Sequence, residues 1–135
     1  MNTKILMTAS SIVLGAAGVL LTFLPNETIT YLDIAPNPIT TLTFQLLGAL
    51  YLGFAILNWM AKGTTIGGIY NKPIVTGNFM HFFVGALTLV KVVSEIKIHS
   101  KIIISLTVVY VIFGLLFMYV FSTNPTKKLV KNNNF

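Results

Sequence analysis

Apolar runs alternate with short polar stretches along the whole chain. Four runs stand out, over about residues 4–24, 39–61, 73–93 and 102–121. Each is roughly 20 residues, the length an α-helix needs to cross about 30 Å of hydrocarbon. The five prolines lie at the borders of these runs. Pro25 closes the first, Pro36 and Pro38 precede the second, Pro73 opens the third, and Pro125 follows the fourth. None falls in a run interior, where it would remove a helical hydrogen bond. The pattern predicts an all-α, up-and-down four-helix bundle spanning a membrane as one domain over residues 1–135. A basic polar tail is expected at 123–135.

The first run opens "MNTK", "ILMTASSIVL", "GAAG", which has the form of a signal peptide with a small-residue cleavage site. The apolar run continues through "VLLTFL", so a retained span is expected. Between the first two spans, "PNETITYLDIAPNP" mixes Ile29, Leu32 and Ile34 with polar residues. It reads as a short interfacial segment anchored by Tyr31.

Composition agrees with a lipid solvent. Of 135 residues, 55% are hydrophobic and only 9% charged. A soluble domain carries about a quarter charged residues. With no cysteine, disulfides and thiolate chemistry are excluded. The net charge of +6 comes from nine lysines set against Glu27, Asp33 and Glu95. The lysines sit at span ends, which argues for anionic headgroups and against nucleic acid. Lys4, Lys62, Lys72 and the tail lysines place both termini and the middle loop in the cytoplasm of a multi-pass protein of the cell membrane. The third loop, "KVVSEIKIHSK", breaks this pattern.

At about 100° per residue, the third span separates two faces. Gly77, His81, Gly85 and Thr88 form a small polar stripe with Asn78 beside it. Phe79, Phe83, Leu87 and Val90 lie opposite, with Ala86 among them. In lipid, small residues let helices approach and polar residues seek partners inside the bundle. Gly77 and Gly85, with Gly48 and Gly53 of the second span, are therefore packing positions. Gln45 shares the Gly48 face, and the first span offers Ser11. Counting from the span ends puts Tyr110 about one turn from His81, so a His81–Tyr110 hydrogen bond is expected.

His81 is the candidate with most chemistry, because an ionisable residue inside a membrane is costly to keep. It would relay a proton, ligate haem or contact a quinone. The plainer reading is a neutral imidazole that fixes helix packing. His99 lies in a loop, so a bis-histidine haem in the membrane is unsupported. Gln45 reads as a bond to another helix or to a ligand carbonyl, and Lys91 as a snorkelling cation. Asn58 and Trp59 read as interface residues. Tyr110, Phe113 and Phe117 read as helix contact. No span contains an acid, as a proton- or cation-coupled transporter needs. No catalytic triad, phosphate loop or metal-ligand motif is present.

The order of "LTFLPNETITYLDI", "FQLLGALYLGFAILNW", "YNKP" and "GNFMHFFVGALTL" resembles the DoxX-like set of small four-span bacterial membrane proteins. The resemblance runs to about Phe121. It implies a four-helix bundle, and some relatives are associated with respiratory or quinone-linked complexes. Members often carry an arginine ahead of the glycine of the second span, where this chain has Gln45.

Three functional expectations follow. The leading one is a non-enzymatic membrane protein, either an accessory subunit or a binder of an apolar ligand such as lipid or quinone. Its contact site would be an intramembrane pocket around His81, Gln45, Tyr110, Asn78 and Ser11. Its partners would be the bilayer and another membrane protein or a second copy. The second is a transporter or channel for a small neutral solute. The third is a redox enzyme subunit acting through quinone or haem. No cofactor is read from the residues themselves.

Overall fold

A computed structural model describes residues 2–64, 71–93, 95 and 100–123. The tail from residue 124 onward, and Lys97 and His99 of the third loop, lie outside the described residues. Five helices account for nearly all of the rest: α1 (Thr3–Phe23), α2 (Pro25–Tyr31), α3 (Pro38–Ala61), α4 (Lys72–Val93) and α5 (Ser100–Ser122). Four of them, all but α2, are long and apolar enough to cross a membrane. Their outer faces carry large apolar side chains in the open, such as Ile39 at 77%, Met60 at 75% and Phe23 at 70% exposure. In water such continuous apolar surface would drive aggregation, whereas in lipid it is solvated. The chain is a small multi-pass integral membrane protein.

The helix ends follow local chemistry. Asn2 caps α1, its side chain accepting from the Lys4 N–H at 3.1 Å. Leu24 leaves the helical region (φ −125°, ψ 47°) because Pro25 clashes with a helical predecessor. Pro25 then serves as the first residue of α2, where its missing N–H costs nothing. The interfacial segment thus becomes a short helix with Ile29 fully buried and Tyr31 exposed. It ends in a Schellman motif: Asp33 N–H donates to the Thr30 carbonyl and Ile34 N–H to the Ile29 carbonyl. Asp33 occupies the left-handed position usually given to glycine, at φ 55°. An aspartate is among the few side chains that tolerate it. Asn37 caps α3 through the Thr40 N–H at 2.9 Å, with Pro38 at the first helical position.

Contacts divide the chain into two units, residues 1–63 and 64–135. In the first, α1 packs on α3. Ser11 Oγ donates to the Ala55 carbonyl at 2.7 Å, and Asn58 Nδ2 donates to Ser10 Oγ at 3.0 Å. Farther along, Gly18 meets Gly48 and Leu52. Residue numbers rise on α1 as they fall on α3, so the pair is antiparallel. Gly18 and Gly48 are the tightest points. A Cβ on Gly48 would lie 2.7 Å from the Thr22 backbone nitrogen and 2.9 Å from the Gly18 oxygen. One on Gly18 would lie 2.9 Å from the Leu52 nitrogen. Only glycine allows backbones this close, and dispersion between them is a main force joining helices in lipid.

Gly53, expected to share this packing role, makes no such contact within the first unit. A Cβ there would meet no heavy atom of the described residues within 4 Å. Position 53 lies on the outer side of α3, away from the face that carries Gly48, Ala55 and Asn58.

The second unit pairs α4 with α5, again antiparallel, as Phe79 stacks on Phe121, Phe82 on Phe113 and Phe117, and Gly85 meets Tyr110. Phe82 is fully buried at its centre.

Candidate functional site

His81 lies about midway along α4, half-buried on the side of the helix next to the α5 contact. Its Nε2 is 3.2 Å from the Tyr110 hydroxyl. The tyrosine O–H donates when the imidazole proton is on Nδ1, and Nε2–H donates when it is on Nε2. The sequence reading anticipated this partner, and the reason is geometric. Gly85, one turn after His81, leaves its Cβ volume empty. A Cβ there would sit 2.5 Å from Tyr110 Cε1. The phenol ring therefore turns its Cδ1–Cε1 edge into the space beside Gly85 and delivers its hydroxyl back to His81. Phe82 closes the site with edge-on contacts to His81 (5.0 Å between centroids) and Tyr110 (5.3 Å).

Removing the hydroxyl should be felt. Tyr110→Phe keeps the ring and is expected to cost about 0.6–2 kcal/mol, the range of interhelical hydrogen bonds in membranes. A double-mutant cycle with His81→Ala, read by SDS-induced unfolding in mixed micelles, should return a coupling of similar size. Strict additivity of the two changes would mean the bond contributes nothing.

The other expected pocket members divide between the two units. Asn78, one turn before His81, is fully buried and donates to the Ile74 carbonyl at 2.9 Å. Gly77 is half-buried on the same helix. Ser11 belongs to the first unit, where its hydroxyl binds Ala55. Gln45 was expected to face inward, and the structure places it exposed on α3. The close approach of α1 runs out at Gly48, because α1 ends at Phe23, and Gln45 lies beyond that point.

A polar pair not read from the sequence is Ser10–Asn58, both fully buried. Ser10 passes its own proton to the Met7 carbonyl at 3.0 Å, which leaves its oxygen as acceptor for the Asn58 amide. The available signal was an amide in an apolar run, which in lipid must find a partner. Its neighbour Trp59 pointed instead to the headgroup region. Trp59 is indeed exposed, with the Lys62 ammonium 2.8 Å from its ring centroid.

On the other flank of the α4–α5 contact runs an open groove of about 170 Å³. It is lined by Phe83, Leu87 and Val90 of α4 and by Val111, Gly114 and Leu115 of α5. Every lining side chain is apolar. Among the described residues no group of three or more His, Cys, Asp or Glu side chains converges on a metal-sized site. The arrangement offers an oriented imidazole–phenol pair on one side of the α4–α5 contact and an apolar trough on the other. No protein-family model matches the chain, and neither does any curated protein or solved structure.

Proposed function

We propose that this chain is a non-enzymatic membrane protein that holds an apolar ligand against the α4–α5 unit. The observation carrying the reading is the wholly apolar groove beside a helix contact whose imidazole already has a tyrosine partner. Polar groups committed to packing are poor candidates for bond-making. An apolar trough recognises a ligand by shape and dispersion alone. The resemblance to DoxX-like chains fits a small membrane protein of this kind, and a quinone ring is the competing ligand it suggests.

Native mass spectrometry after gentle extraction from the protein's own membrane tests the reading. A retained small-molecule mass is expected on the parent protein, and it should fall at least severalfold in Val90→Trp, which covers the groove from an exposed position. His81→Ala should keep it. Retention that depends on His81 and is indifferent to Val90→Trp would move the ligand to the polar flank. A bound protein with no small molecule would select the accessory-subunit reading.

A further inference from the structure

The groove has a charged end. We infer that it seats one acyl chain of an anionic phospholipid, with Lys101 and Lys91 holding the headgroup phosphate. This rests on the apolar-ligand reading above and names its ligand. On α5, Lys101, Ile104, Val108, Val111 and Leu115 recur every three or four residues, so they form one stripe. Lys101, Ile104, Val108 and Leu115 are exposed along it. On α4, Lys91 follows the groove residue Leu87 by four positions and is exposed in the last turn. Because the two helices are antiparallel, the C-terminal end of α4 and the N-terminal end of α5 coincide. Both lysines therefore stand at the same end of the trough.

The depth fits a lipid tail. Val111 and Leu115 lie about 15 and 21 Å along the helix axis from Lys101. One leaflet spans about half of the 30 Å hydrocarbon core. A chain entering beside the lysines would thus follow the stripe down to Val111, at the depth where one leaflet ends. Lysine stems are apolar and let the ammonium reach the headgroup layer, where cations attract anionic lipid. Glu95, exposed at the same end, is the one acid in the sequence after Asp33. A quinone fits less well. No polar side chain lines the groove to meet a carbonyl oxygen.

The test uses the full chain in nanodiscs of equal phosphatidylglycerol and phosphatidylcholine, released for native mass spectrometry. The parent protein should retain phosphatidylglycerol over phosphatidylcholine by roughly tenfold. Lys91→Gln with Lys101→Gln should bring that ratio near one while lipid adducts persist. Val90→Trp, an exposed site that spans the groove without touching the buried contact, should lower adducts of both lipids, with helicity checked by circular dichroism. An unchanged ratio in the lysine double variant overturns the headgroup assignment and leaves the groove reading standing. Adducts unchanged in Val90→Trp overturn the groove reading itself. Retention of added ubiquinone in place of both lipids overturns the phospholipid.

Discussion

Gly48→Val should part α1 from α3. The new side chain would have to occupy space already held by the Thr22 nitrogen and the Gly18 oxygen, at 2.7 and 2.9 Å from its Cβ. Both are backbone atoms of a helix, so neither has a rotamer to move into. Relief requires the helices to separate, which forfeits dispersion along the contact and strains the Ser11–Ala55 bond. Overpacking of this kind costs roughly 3 kcal/mol. Gly53→Val is the matched control, since its Cβ meets nothing nearby. It should change stability by less than about 0.5 kcal/mol. A cross-link reports the geometry directly. A Cβ at Gly15 lies 3.6 Å from that of Ala55, inside the range of about 3.5–4.5 Å for disulfides. The chain has no cysteine of its own, so Gly15→Cys with Ala55→Cys gives one defined bridge. It should form rapidly in the parent and slowly with Gly48→Val. Equal rates in the two backgrounds would show that the glycine contact does not hold the pair.

The second large effect is expected at Phe82. Its ring is fully buried, stacked on Phe113 at 4.9 Å and on Phe117 at 5.7 Å, and edge-on to Tyr110. Phe82→Ala leaves a cavity that helix backbones cannot collapse to fill. Such truncations cost about 3–5 kcal/mol in water-soluble cores. The lower end is expected here, because lipid offers the unfolded helix an apolar environment too and only packing is lost. Removing the ring also takes away the wall behind Tyr110, so the His81 bond should loosen with it. Phe79→Ala provides the comparison, since Phe79 is only half-buried. SDS titration followed by circular dichroism should show a clearly larger loss for Phe82→Ala. Equal losses would mean that the stacked cluster is not the centre of the α4–α5 contact.

The His81–Tyr110 pair was legible because His81 is the one histidine within an apolar run, and the helix repeat counted from the span ends sets its depth near Tyr110. Gly85 read only as a packing position, and that Tyr110 fills the space beside it came from the tertiary structure. Gln45 was not legible in the same way. It shares a face with Gly48, but helical periodicity says nothing of where a partner helix stops. Gly53 likewise has no partner that the first unit supplies. It was assigned to packing for being small, and what it faces depends on which helix lies opposite. The Ser10–Asn58 bond joins residues 48 apart and has no local signature.

The sequence alone therefore determined the four membrane-length helices and the breaks between them. Lipid requires about 20 apolar residues per crossing and proline forbids continuation, so both are written locally. Only the tertiary structure decided which faces meet. In a soluble protein the buried face is apolar and the outer face polar, so amphipathicity marks the core. In lipid both faces are apolar, and the choice falls to close backbone approach at Gly18 and Gly48, the fit of Tyr110 over Gly85, and the few hydrogen bonds between helices. Those depend on atoms distant in the chain.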